Sequence, residues 1–215
     1  MRSMFDRQLK TLNDEMVYMG SLCADAIRHT IEALMSTDIK MAKSVNNMMS
    51  QISQQERSIE NICLKLLMQQ QPVARDLRTI SSALKMVTDM ERIGIQSCEI
   101  AEIITGGNVA GAADKANFQE LSDEVSRMVS MSLTAFDTKD MEMANAVIKY
   151  DDVVDRLFCD IRGDLIERLK SEAGDVECFV DMLMIDKYFE RIGDHAVNIA
   201  RWVNFSITGE IEIVD

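Results

Sequence analysis

The chain of 215 residues contains one proline and nine glycines, so little in it would interrupt a helix. Aromatic residues make up only 5%, which leaves core filling to aliphatic and methionine side chains. No uncharged apolar run approaches the ~18 residues that a membrane-spanning helix needs. Basic residues are in deficit: 23 Lys and Arg against 36 Asp and Glu give a formal charge of −13. A phosphate backbone is bound by a basic surface, so nucleic acid is excluded as a partner. The same deficit makes anionic lipid repulsive, and any membrane contact is expected to run through protein partners. No C-x-x-C occurs, and Cys23, Cys63, Cys98, Cys159 and Cys178 are odd in number and widely spaced. They read as free thiols of a reducing compartment. The opening "MRSMFDRQLK" lacks the apolar segment of a secretory signal, and a cytoplasmic location is expected. Histidine is nearly absent. Neither His29 nor His195 has a Glu three residues before it, which removes the E-x-x-H pattern of di-iron bundles. No Gly-rich phosphate loop, nucleophile elbow or Cys/His zinc spacing is present, so no enzyme activity is expected.

What the chain does hold is helix. Hydrophobic residues reach 47%, and 17 are methionine, which favours helix and fills uneven gaps in a core. Leu9, Leu12, Met16, Met19 and Cys23 step by three and four along a first helix of about Phe5 to Met35. Asp38 is placed to cap a second helix reaching about Gln70, and Pro72 suits the first turn of a third that ends in "TGGN". A fourth helix covers about Asn117 to Phe136. Asp140 caps a fifth that runs to about Lys170. Gly174 stops that region, and Asp175 caps a sixth over about Val176 to Phe205. No window alternates with period two for long enough to suggest a sheet.

The second half repeats the first. "ALMSTDIKMAKSV" from Ala33 matches "AFDTKDMEMANAV" from Ala135 at an offset of 102, and E-R-I-G recurs at Glu91 and Glu190 with an offset of 99. The fold class is therefore all-α, two tandem three-helix bundles from an internal duplication. Residues 1–107 form the first bundle, 108–116 a small polar linker, 117–205 the second bundle and 206–215 an acidic tail. In E-R-I-G the Ile is expected to point inward, the Gly to admit a neighbouring helix, and the Arg to neutralise nearby acids.

Acids then distinguish the two halves. Asp186, Glu190 and Asp194 are four apart, forming a stripe away from the apolar face of Phe189, Ile192, Ala196, Ile199 and Val203. Asp151 and Asp155 lie on the shoulder of the fifth helix, beside a core row of Val154, Leu157, Ile161 and Leu165. Two antiparallel neighbours would bring both carboxylate pairs into one patch. Like charges at i,i+4 cost roughly 0.2–0.5 kcal/mol per pair, and oxygen clusters suit Mg²⁺, Mn²⁺, Ca²⁺ or iron. Acids four apart also mark solvated faces, so both readings stand. In the first half the matching positions are Met49, Ser53, Val87 and Ile95, and only Glu91 keeps its acid. His195 lies about 100° around the helix from Asp194 and reads as a flank or core histidine rather than a ligand.

"QQPVARDLR" from Gln70, "ALKMVTDMERIG" from Ala83, "YFERIGDHAVNIA" from Tyr188, "FDRQLKTLNDEM" and the D-D-x-x-D run at Asp151 together resemble the PhoU family of phosphate-transport regulators. The resemblance covers nearly the whole chain apart from the tail. It implies a cytoplasmic, non-enzymatic regulator, often a homodimer, acting between a phosphate ABC transporter ATPase and a phosphate-sensing histidine kinase. It also implies divalent or trivalent metal, in some members a multinuclear cluster of iron, magnesium, manganese or zinc on E/D-x-x-x-D motifs. Carried over residue by residue, the metal ligands would be Asp151, Asp155, Glu190 and Asp194 of the second bundle. The competing readings are a metal-binding helical-bundle enzyme or storage protein, and a metal-free structural helical adaptor.

Overall fold

A computed structural model describes residues 2–69, 72–110, 115–171 and 175–210. Six helices follow one another: α1 Arg2–Ser36, α2 Ile39–Gln69, α3 Ala74–Gly106, α4 Ala116–Thr138, α5 Met141–Ser171 and α6 Val176–Thr208. Among the described residues there is no strand. All three expected aspartate caps form. Asp38 Oδ1 accepts from the Lys40 amide at 2.8 Å, Asp140 Oδ1 from Met143 at 2.9 Å and Asp175 Oδ1 from Glu177 at 3.1 Å. Gly174 lies outside the described residues.

Two boundaries differ from the sequence reading. Pro72 does not enter the first turn of α3. Val73 is the N-cap, with ψ 165, and Pro72 precedes it as a stop on the outside of the helix. The tail expected from residue 206 begins later. Ser206, Ile207 and Thr208 continue α6, Ile207 packs against the core, and Gly209 ends the helix with φ 81.

The core follows the predicted stripes. Leu12, Met16, Met19 and Cys23 are buried on α1, as are Phe189, Ile192, Ala196, Ile199 and Val203 on α6. Burial pushes the Cys23 and Cys63 thiols up to about 12, which keeps both as inert thiols. On α5 the row fades. Val154 and Ile161 are buried, whereas Leu157 and Leu165 are only partly covered. α4 has 23 residues where its counterpart α1 has 35, so the end of α5 around Leu165 lies past the length of α4.

The halves share one core. α1, α3, α6 and α4 pack in a closed ring, each against the next, with α2 laid on α1 and α3 and α5 on α4 and α6. The α3–α6 seam joins the two halves, and the duplication shows in its polar contacts. Asp89 accepts from Asn198 Nδ2 at 3.4 Å, and Tyr188 donates to Glu99 at 3.3 Å. These are the same pair of positions seen from opposite halves, because residues 89 and 188, and 99 and 198, are repeat partners.

The linker is more firmly tied than a small polar stretch suggests. Val109 is buried, Asn108 Nδ2 donates to Asp181 at 3.0 Å, and Lys115 Nζ donates to the Leu34 carbonyl at 2.8 Å. Residues 111–114 lie outside the described part. Limited proteolysis is expected to cut first within the linker of residues 108–116, giving two fragments of similar size on a denaturing gel. The ring predicts that these fragments still elute together as one species from a sizing column. Separate elution, or a first cut inside α5 or α6, would count against this packing.

Candidate functional site

The two E-R-I-G segments set helix spacing. A Cβ added at Gly94 would stand 2.9 Å from Met49 Sδ and Ile52 Cδ1 of α2, and one at Gly193 would stand 3.2 Å from Val154 Cγ1 of α5. Each glycine therefore lets α3 approach α2, or α6 approach α5, more closely than a side chain would. Ile93 and Ile192 beside them are fully buried. Where α6 meets α5 in this way, their flanking acids come within electrostatic range.

Asp151 registers the crowding most. Burial, followed by the charges of Asp155, Asp194 and Glu190, raises its carboxyl to about 6 against the opposing pull of Arg201. Asp194 is raised too, first by burial and then by Asp155, while Lys187, His195 and Arg191 oppose the rise. Arg191, the arginine of the second E-R-I-G, thus has the neutralising role expected of it. Glu190 is turned toward Lys187, whose Nζ lies 2.5 Å from its Oε2, and its side chain is 13% exposed. Asp155 is exposed. Next to this patch is a small cleft of about 290 Å³ that Asp151, Arg191, Asp194, His195, Asn198 and Arg201 help to line.

The stripe is not straight in its exposure. Asp194 is exposed, Glu190 half-buried and Asp186 fully buried. Four-residue steps on a helix of 3.6 residues per turn advance the stripe by roughly 40° each. Two steps therefore carry it from solvent into the core. Both Asp186 carboxylate oxygens are buried without a hydrogen-bond partner. Burial raises its pKa to about 8, with Arg162 and Lys187 opposing and Glu190 adding to the rise. The expectation that Asp186 lies away from the buried face is corrected: it is a neutral acid of the interior.

In chemical terms the patch offers hard oxygen donors only, which suits Mg²⁺, Mn²⁺ or iron better than soft metals. Among the described residues no three His, Cys, Asp or Glu side chains converge closely enough to hold a metal ion. Asp151, Asp155, Glu190 and Asp194 thus form a repelling group on adjacent turns, with Glu190 engaged by lysine.

The first half holds acids that alignment of the repeats passes over. Ser53 Oγ donates to Glu91 Oε1 at 3.1 Å, and Glu56 is raised to about 6 by burial, then by Glu91 and Glu60. Glu56 falls opposite Phe158 in the repeat, so comparison of copies hides it. Its place one turn beyond Ser53 and four residues before Glu60 is the signal that would have found it. His195, read as a flank or core residue, spans the seam with Nδ1 2.9 Å from Asp89 Oδ1. His29 Nδ1 lies 3.5 Å from Ser44 Oγ.

The model of the PhoU domain matches the chain twice, over residues 16–104 and 118–203. The phosphate-specific transport system accessory protein PhoU homolog of Clostridium acetobutylicum is 33% identical over 211 residues, covering 97% of this chain and 96% of that one. Its counterpart in Pseudomonas aeruginosa is 30% identical over 207 residues, covering 95% and 86%. The crystal structure of PhoU from Pseudomonas aeruginosa superposes with a TM-score of 0.91 at 30% identity, covering 96% of this chain and all of that chain. The phosphate transport system regulatory protein PhoU from Streptococcus pneumoniae, at 24% identity, also gives 0.91 and shares the fold.

Proposed function

Because the chain belongs to the PhoU family, we propose that it is the accessory regulator of a phosphate-specific transport system. It works as a non-enzymatic, homodimeric adaptor in the cytoplasm, binding both the ATPase of a phosphate ABC transporter and a phosphate-sensing histidine kinase. The observation that carries this reading is the match of both halves to the family, with 30–33% identity over nearly the full length to accessory proteins of phosphate transport. Among the described residues no helix is long and apolar enough to cross a membrane. Contact with a transporter therefore runs through protein surfaces, and signalling takes the form of an affinity for each partner that depends on the adaptor's state.

The second-bundle acids supply one such state variable. Asp151 and Asp194 are held together against repulsion, so a divalent or trivalent cation is favoured there once the side chains turn to meet it. Asp151, Asp155, Glu190 and Asp194 would be its ligands, with Glu190 released from Lys187. A cation at that position neutralises the α5–α6 surface and changes what it can bind.

The tagged chain, expressed at its native level, is expected to retain the transporter ATPase and the kinase in a pull-down from cells grown in rich phosphate. A strain lacking the chain is expected to express phosphate-starvation genes in that medium. Normal repression in the deletion strain, with neither partner retained, would overturn the adaptor reading.

A further inference from the structure

A second cleft lies at the end of the ring where α1 and α3 begin and α4 and α6 finish. Its volume is about 720 Å³, within the range of small-molecule sites. The floor is apolar: Leu12 and Phe136 are buried there, with Leu9 and Ile207 partly covered beside them. Around it stand three cations, Lys10 from α1, Arg75 from α3 and Lys139 from the α4–α5 turn.

The chain carries a formal charge of −13, yet three cations gather at this one cleft. Some basic side chains are matched with acids: Arg28 pairs with Asp25 and Glu32, Arg127 with Glu124, and Lys187 with Glu190. Among the described residues the side chains of Lys10, Arg75 and Lys139 make no ion pair or hydrogen bond, although backbone groups of Arg75 and Lys139 are hydrogen-bonded. The two carboxylates that share the cleft do not answer them. Asp137 is held by Asn13 Nδ2 at 2.6 Å, and Asp76 sits in the first turn of α3, where a negative charge favours the helix. Val73 caps that helix without a side-chain hydrogen bond, and Val73, Arg75 and Asp76 of this helix start line the cleft. Three unpaired cations over an apolar floor fit a ligand with several negative charges at one end and a flat apolar body at the other.

We propose that this cleft binds a small organic polyphosphate of the nucleoside di- or triphosphate class, its phosphates on Lys10, Arg75 and Lys139 and its base on the Leu12–Phe136 floor. The site also absorbs a sequence feature otherwise without a role, since Val73, Arg75 and Asp76 belong to "QQPVARDLR". All four ring helices meet here, so an occupant touches both halves of the molecule at once. The inference does not need the adaptor reading, because its test contains no partner protein.

The test is calorimetric titration of the full chain with ATP in EDTA, which removes cations from the acid patch. ATP is expected to bind saturably and adenosine not to bind detectably, with pyrophosphate weaker than ATP. Arg75→Gln with Lys139→Gln should weaken ATP at least tenfold, the loss of one charge-assisted contact or more. Both side chains are exposed, and an unchanged melting temperature confirms that the variant folds. Asp151→Asn with Asp194→Asn should leave ATP affinity unchanged. Absence of saturable ATP binding below about 1 mM, or equal binding by the Arg75/Lys139 variant, overturns the site. Pyrophosphate binding as tightly as ATP overturns the nucleotide assignment, because the apolar floor would then contribute nothing.

Discussion

Replacing Asp186 by Asn is expected to stabilise the protein by several kcal/mol at pH 8.5 and to change it little at pH 4. The residue is fully buried, and neither carboxylate oxygen has a hydrogen-bond partner. Burial holds its folded pKa at about 8, whereas an unfolded Asp titrates near 3.9. Below the unfolded value both states carry the proton, and the residue is neutral in its effect. Between the two values the folded state binds more protons than the unfolded state, so stability falls as pH rises, by roughly 1 kcal/mol per pH unit. The loss levels off once pH passes the folded value. Asn keeps the shape and cannot ionise. Urea unfolding of both proteins at pH 4, 6 and 8.5 reads the result as a gap that opens with pH. A gap of constant size across the three pH values would mean that Asp186 is solvated or ion-paired in the folded state.

Asp186 also marks where sequence reasoning stops. Helix boundaries were legible because Asp38, Asp140 and Asp175 are local signals, each satisfied within three residues of itself. The spacing role of E-R-I-G was legible because the repeat placed the same glycine on the same face twice. The depth of Asp186 depends on drift between a four-residue step and a 3.6-residue turn, and on which helices stand around it. Periodicity treats an acid as an exposed residue, and here the neighbours overrule it. The ring was hidden for a related reason. α3 and α6 each bury one face within their own half and another against each other, and a single sequence does not say which partner a second apolar face has. Buried Val109 illustrates the same limit in a stretch of small and polar residues. At the acid patch the sequence pointed to four carboxylates of the second half, and Asp155, Asp194 and Glu190 do lie within electrostatic range of Asp151. It did not reveal the engagement of Glu190 by Lys187 or the Glu56–Glu91 contact in the first.

Adding Mg²⁺ or Mn²⁺ at about 100 times its dissociation constant is expected to raise the melting temperature by about 5–10 °C. Ligand binding to the folded state at that level contributes roughly 2.7 kcal/mol, and a domain of this size shifts by roughly 2–4 °C per kcal/mol. The single core shared by both halves makes one cooperative transition the relevant case. Asp155→Asn with Asp194→Asn should abolish the rise, since it removes one acid from each i,i+4 pair. The same variant should melt slightly higher than the parent without metal. Asp155 and Asp194 both raise the Asp151 carboxyl, so their removal relieves repulsion that a cation would otherwise relieve. Glu91→Gln separates the halves: Met49 and Ile95 offer no donor beside it, and its carboxylate is already taken up by Ser53 and Glu56. That variant should keep the full response to metal. Differential scanning fluorimetry of the three proteins in EDTA and in added metal decides the matter. A response lost with Glu91→Gln and kept in the double Asn variant would move the cation to the first half of the molecule. A response kept in both would leave the acids of both pairs as a solvated face and the metal elsewhere.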